Sequence, residues 1–264
     1  EGMMRDGRAL QSGTSHYMGE NFARAFGIRY AGEDGEERYC HTVSWGMSTR
    51  MLGGVIMTHG DDKGLVLPPL LAPYQVVIVP IGRGDQAEQV LPPARELAER
   101  LRRAGIRVHV DERQQLSPGF KFNDWEMRGV PIRLELGPRD LADGSALMSL
   151  RIGEGKTSVS LDSAPARLEF ELAAFQNLLM ARATEFRDSH TLTVNSWEKF
   201  TEAVKTGWAL ALHCGQPECE DDIKAETSAT PRCIPNDGPP EEGRCVRCDQ
   251  PSAYGTRLIF GRSY

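Results

Sequence analysis

The residues with the most specific chemistry are two cysteine pairs, Cys214-x4-Cys219 and Cys245-x2-Cys248. Zinc takes soft ligands in a tetrahedron, and two short pairs can each supply two thiolates from a tight turn. Gly215, Pro217 and Gly243 lie in or beside those turns, where they help the chain fold back on itself. Four unconnected, partly buried thiols are the other reading. The paired spacing favours a Zn2+ site, and with no open coordination position or general base nearby the metal is expected to be structural. Cys233 stands alone after Thr230-Pro231-Arg232 and is expected to pack rather than ligate.

Two further stretches could handle a nucleotide. Residues 6–16 end in Gln11-Ser12-Gly13-Thr14-Ser15-His16, where small residues allow close backbone approach and amide, hydroxyl and imidazole groups supply hydrogen bonds. Ser44-Trp45-Gly46-Met47-Ser48-Thr49-Arg50 adds a guanidinium fork suited to phosphate oxygens. Taken alone, each also reads as a solvated turn.

These groups need elements to position them. The chain has 264 residues, 40% hydrophobic and 26% charged, enough for one large domain or two to three modest ones with real cores. A net charge of −6 excludes a non-specific polyanion binder. No apolar run is long enough to span a membrane, and six cysteines without a secretory leader read as reduced thiols or metal ligands in the cytoplasm. The chain opens on Glu1 rather than Met, which suggests a fragment.

Pro68-Pro69-Leu70-Leu71-Ala72-Pro73 reads as a linker and sets a first boundary, giving segments 1–72, 73–190 and 191–264. The middle segment alternates strand and helix. Val76-Val77-Ile78-Val79-Pro80-Ile81 is a doubly covered strand; Val90, Ala94, Leu97 and Leu101, with Leu91 and Ala98, mark one face of a helix ending at Gly105. Ile106, Val108 and Val110, then Val130, Ile132, Leu134 and Leu136, alternate with polar residues as strands do. Ser117-Pro118 between them is a helix start, and the series predicts a mostly parallel sheet. Residues 145–161 read as a hairpin turning at Gly153-Glu154-Gly155-Lys156, and Leu168, Leu172, Phe175, Leu179 and Phe186 as one face of a long helix. The last segment predicts a short helix, a strand ending at Cys214, and a final strand at Leu258-Ile259-Phe260.

Together, residues 11–16, 44–50, the Thr58-His59-Gly60-Asp61-Asp62-Lys63-Gly64 stretch running on to Pro69, Gln75 to Pro80, and the cysteine pairs resemble prolyl-tRNA synthetase over essentially the whole chain. The resemblance is to the archaeal/eukaryotic type, which carries a C-terminal zinc-binding domain and no large inserted editing domain. It implies an α/β and α+β multidomain chain: the C-terminal part of a class II antiparallel catalytic sheet (1–72), an α/β anticodon-binding domain with its exit helix (73–190), and a small α+β zinc-binding domain (191–264). By the same resemblance Gln11, Thr14, Ser48, Thr49 and Arg50 contact ATP, with Arg50 on the outer phosphate, while His16, Trp45 and Gly46 belong to the proline pocket. Glu126, on a helix over 122–129, and Arg139 match the readers of the two guanines of the proline anticodon, with Arg133 a third candidate; a carboxylate suits guanine N1–H and N2–H, and an arginine its O6 and N7. For Glu126 the other reading is an ordinary solvated helix charge.

The implied reaction is proline–tRNA ligation: ATP with Mg2+ activates L-proline to prolyl-adenylate, and the prolyl group passes to tRNA(Pro). A cytoplasmic homodimer is expected of the intact enzyme, with no membrane or DNA partner. The family's first and second signature motifs do not occur in these residues, so this polypeptide by itself is expected to give no proline-dependent ATP–pyrophosphate exchange. The alternative is a standalone tRNA anticodon-binding module. Tyr264 ends the chain, as tyrosine does in the family, where the terminal carboxylate reaches toward the catalytic domain; the other reading is an exposed strand end.

Overall fold

The computed structural model describes residues 1–82 and 84–264. They form two compact units, one of Glu1–Thr58 with Arg187–Tyr264 and one of His59–Phe186. The second unit therefore begins ahead of the proline-rich stretch at 68–73 and includes it.

The first unit opens with three antiparallel pairs. Strands β1 (Gly2–Met3) and β2 (Ala9–Leu10) pair, β3 (Gly13–Gly19) precedes helix α1 (Asn21–Phe26), and β4 (Arg29–Ala31) pairs with β5 (Glu37–Tyr39). Strand β6 (Thr42–Met47) returns antiparallel to β3, and helix α2 (Arg50–His59) follows it directly.

In the second unit, β7 (Val76–Pro80) has four fully buried residues, Val76 to Val79, as a doubly covered strand should. Helix α3 (Asp85–Arg103) buries Val90, Ala94, Leu97, Ala98 and Leu101 against it, and Gly105 follows at φ +81°. Strand β8 (Val108–Val110), helix α4 (Pro118–Met127), β9 (Ile132–Leu136), the short helix α5 (Pro138–Ala142), β10 (Ser145–Leu150), β11 (Thr157–Ser160) and the long helix α6 (Ala164–Ser189) complete the series. Val76, Ile78, Leu97, Leu101, Ile132, Leu134 and Leu168 share one core, each side chain contributing about 1.5–3 kcal/mol on burial.

The series over 74–144 is parallel as expected, β7 lying parallel to β8 and β9, and the 145–161 hairpin joins the same sheet antiparallel through β9, giving the order β11-β10-β9-β7-β8. One expectation changes at β9. Glu135, a polar position of β9, is buried, because Lys156 (2.6 Å) and Arg133 (3.1 Å) neutralise its carboxylate. Helix α4 starts at Pro118, as the Ser117-Pro118 pair predicts, and ends at Met127 rather than 129; Ser117 Oγ accepts from Phe120 N–H at 3.3 Å and caps it.

The C-terminal part of the first unit contains β12 (Thr191–Thr193), α7 (Trp197–Thr206), β13 (Trp208–Ala211), α8 (Pro217–Thr227), β14 (Ala229–Cys233) and β15 (Leu258–Arg262). The sheet runs β12-β13-β15-β14, with Phe200 of α7 packed edge-on to Phe260 of β15 at 5.2 Å. Strand β13 stops three residues short of Cys214, leaving that cysteine in the following turn. Cys233 is exposed, not packed, because it lies at the end of β14. This part closes onto the start of the chain: Tyr264 N–H donates to the Ala9 carbonyl at 3.1 Å, and Arg232 pairs with Glu1. Gly7, at φ +77°, lies so close to Thr206 that a Cβ would fall 2.1 Å from its carbonyl oxygen. Among the described residues no helix is long and apolar enough to cross a membrane.

Candidate functional site

Three clusters gather the residues singled out in the sequence. In the first, the β3–β6 register sets Thr14 opposite Gly46 and His16 opposite Ser44. Directly paired residues share a sheet face, so Thr14, His16, Ser44 and Gly46 lie on one side. Trp45 pairs with Ser15 on the other side and is 79% exposed, so the pairing separates it from His16 and Gly46. Gln11, Gly13, Thr14, Gly46, Ser48 and Arg50 line a cavity of about 340 Å³. Thr49, His16 and Trp45 are not among its lining residues. Ser48 Oγ accepts from Arg50 N–H at 3.3 Å and the Ser48 and Thr49 carbonyls accept from Met51 and Leu52 N–H, so the first turn of α2 is closed by its own residues and the Arg50 guanidinium is the group suited to anionic oxygens at this corner. Arg50 and Gln11 also line a neighbouring cavity of about 510 Å³ with Tyr264, so the C-terminus comes beside the Gly13–Arg50 corner.

The second cluster lies on the sheet of the second unit. Glu126, Arg133, Phe122, Trp125, Lys63 and Lys156 line a cavity of about 500 Å³. Arg133 lies over the Phe122 ring at 4.3 Å and Lys156 Nζ at 5.3 Å, and Glu135 ties the two cations together from beneath. Lys63 Nζ donates to Glu126 Oε1 at 3.2 Å. Aromatic surface beside fixed charges can stack a flat base and read its edge. Arg139, exposed on α5, is not among the cavity's lining residues. Sequence reasoning missed Lys63, Phe122 and Lys156. Phe122 stands four residues before Glu126, so helical spacing could have exposed it; Lys156 sits in the hairpin turn, and only the sheet order brings it to Arg133.

In the third cluster the four cysteines meet. Cys214 Sγ lies 3.5 Å from Cys248 Sγ, and Cys219 Sγ 3.7 Å from Cys245 Sγ. A tetrahedron of zinc–sulfur bonds near 2.3 Å has edges of about 3.8 Å, so the donor set fits zinc. Burial pushes the Cys219 and Cys214 thiols up. Burial also acts on Cys245, but backbone amides of Cys248, Arg247 and Cys214 outweigh it and hold that thiol below its usual range. His213 brings a ring nitrogen within 4.8 Å of Cys214, Cys219 and Cys245. Its Nδ1 accepts from Gly215 N–H at 3.1 Å, which leaves the proton on Nε2, and burial lowers its pKa. His213 is thus a neutral neighbour of the thiols, gathered with Cys214, Cys219 and Cys245 in one buried group that could hold a metal ion.

Residues 75–171 match the anticodon binding domain family, and residues 197–264 match the family described as prolyl-tRNA synthetase, C-terminal. Apart from Lys63, the residues that line the cavity of the second unit lie within the stretch matched to the anticodon binding domain family. Over 265 residues the chain is 64% identical to proline–tRNA ligase 2 of Rhodococcus jostii (strain RHA1) and 60% identical to proline–tRNA ligase of Mycobacterium leprae, covering 100% of this chain and 55% of each relative. The solved prolyl-tRNA synthetase of Cryptosporidium parvum, complexed with halofuginone and AMPPNP, superposes with a TM-score of 0.93 at 36% identity, over 98% of this chain and 54% of that one. The chain is similar to prolyl-tRNA synthetases along its whole length, and its C-terminal residues match that family's own C-terminal model. It spans about half the length of the curated relatives it matches.

Proposed function

We propose that this chain serves proline–tRNA ligation, contributing the ATP-binding corner, the anticodon reader and a zinc-stapled C-terminal domain. The observation that carries the reading is the roughly 500 Å³ cavity inside the matched anticodon-binding domain, with Glu126, Arg133 and Lys156 set around Phe122. A guanine presents N1–H and N2–H to a carboxylate and O6 and N7 to a cation, and both kinds of partner line this cavity. Arg139, exposed on α5 and outside the lining, is the candidate reader of the other guanine.

At the other site, ATP would lie against Gln11, Thr14, Ser48 and Arg50, with Thr49 at the start of α2 and L-proline beside His16 and Gly46. No carboxylate lines the 340 Å³ cavity, so Mg2+ would arrive on the nucleotide's phosphates. Activation gives prolyl-adenylate and pyrophosphate, and transfer to the terminal tRNA hydroxyl gives prolyl-tRNA(Pro) and AMP. This chain's part is positioning, with charge stabilisation through Arg50. Zn2+ on Cys214, Cys219, Cys245 and Cys248 would cross-link the β13–α8 turn to the loop before β15. The reading implies a cytoplasmic protein and a homodimeric intact enzyme.

The test is binding of a proline-anticodon tRNA transcript to the 264-residue chain and to its Glu126→Gln variant. Loss of about 1–3 kcal/mol of discrimination at one anticodon guanine is expected. Unchanged discrimination at both guanines removes Glu126 as a reader.

A further inference from the structure

We infer that Arg151 is the positioning residue of the anticodon-reading carboxylate, holding Glu126 by its backbone and, through Asp61 and Lys63, by its side chain. The inference rests on the anticodon reading of the cavity given above. Glu126 sits one residue before the end of α4, where its carbonyl leaves the i to i+4 ladder and takes the Gly129 N–H of the closing turn at 3.0 Å, with its second acceptor site open to a partner from outside the helix.

Arg151 provides that partner from a side chain only 1% exposed. Its Nε donates to the Glu126 carbonyl at 2.8 Å, a charge-assisted bond at the negative end of the helix dipole. Its backbone N–H donates to the Pro131 carbonyl at 2.9 Å, which fixes the residue to the chain entering β9. The two Nη atoms form a fork on Asp61, at 2.8 and 2.5 Å. Asp61 in turn accepts from Lys63 N–H at 2.9 Å and exchanges backbone hydrogen bonds with Gly64 at 3.0 Å, which shapes the turn that presents Lys63. Lys63 Nζ then takes one oxygen of Glu126, at 3.2 Å. Among the described residues the other oxygen, Oε2, has no partner, which leaves it for a base edge.

The backbone is built to match. Gly64, at φ +126°, approaches α4 so closely that a Cβ would lie 2.5 Å from the Met127 carbonyl oxygen, and Leu65 N–H donates to that same carbonyl at 2.9 Å. One guanidinium therefore sets both the height of Glu126 on the helix and the rotamer of its carboxylate. A buried ion pair adds little net stability compared with apolar packing, so its contribution here lies in geometry. Lysine cannot replace it, because a point charge cannot make the fork and the Nε bond together.

The test uses the 264-residue chain and transcripts carrying the proline anticodon, with either guanine changed to adenine, at one fixed salt concentration. Glu126→Gln identifies the guanine it reads. Arg151→Lys is expected to lose about tenfold discrimination at that same guanine and to keep it at the other. The Arg151→Lys/Glu126→Gln double variant should then be no worse than Glu126→Gln alone, since the two act as a unit. Equal loss at both guanines, in step with a fall in Tm, would reduce Arg151 to a structural residue and overturn the inference. Should Arg151→Lys not fold, Asp61→Asn, near-isosteric and partly exposed, carries the same comparison with the same expected result. If Glu126→Gln matters and Arg151→Lys and Asp61→Asn do not, the positioning role alone is wrong. If Glu126→Gln changes neither guanine, the anticodon reading of the cavity falls and the inference falls with it.

Discussion

Asp111 shows how the residues beneath the candidate reader are held. Its carboxylate is fully buried, and burial alone would push its pKa up. Hydrogen bonds from the Arg113 guanidinium at 2.9 and 2.7 Å and from Trp125 Nε1 at 2.8 Å, with the Lys121 charge nearby, outweigh that and hold it well below the usual carboxylate range. A carboxylate whose pKa is lower folded than unfolded stabilises fully above its unfolded value of about 4 and loses that contribution as pH falls toward the folded value. The Tm of the chain should therefore drop steeply below about pH 4. Asp111→Asn should make that drop shallower and lower stability at neutral pH by about 3 kcal/mol, since it leaves Lys121 and Arg113 facing an uncharged group. Calorimetry from acid to neutral pH checks this, and an equally steep acid limb in the variant would contradict it. The network also explains why Trp125 lines the cavity in one orientation: Asp111 holds its ring N–H from behind.

The elements divide by how local their causes are. Ser117 caps α4 through a bond to a residue three positions on, so Ser117→Ala should cost about 1 kcal/mol in denaturant unfolding with the m-value unchanged. Gly64→Ala should cost more, because the added Cβ meets Met127 backbone and a strained φ at once; equal stability of the two variants would argue against the close approach. Causes this short in range were legible in the sequence. Strand β7, helix α3 and the 145–161 hairpin follow from periodicity and turn residues, and the cysteine pairs from their spacing. Two features were not legible. Glu135 reads as an outward polar position because its partner Lys156 lies 21 residues away in sequence. Trp45 reads as part of one wall with His16, although strand alternation sets them on opposite faces, which becomes visible only once the β3–β6 register is known. Lys63 and Arg151 reach Glu126 through space, from 63 and 25 positions away, and no spacing rule points to either.

At the scale of the whole molecule, Glu1–Thr58 and Arg187–Tyr264 form one compact unit, so the thiol cluster and the proposed ATP-binding corner share a body. Zinc would stabilise that body by fixing the turn after β13 against the loop before β15. One zinc per chain is expected by elemental analysis, released on thiol titration, and Cys219→Ser should lose the metal and lower the Tm of this unit. Full stability after stripping by a chelator would make the cluster a set of packed thiols instead. The central claim concerns the other unit: a chain of net charge −6 cannot hold an RNA by bulk attraction, so its affinity must come from placed contacts. The most direct measurement compares, at one salt concentration, the Kd of this chain for a transcript with the proline anticodon and for the same transcript with both anticodon guanines replaced by adenine. The account predicts a loss of about tenfold or more per guanine, with the first transcript bound tightly enough to saturate. Equal affinity for the two transcripts would contradict it.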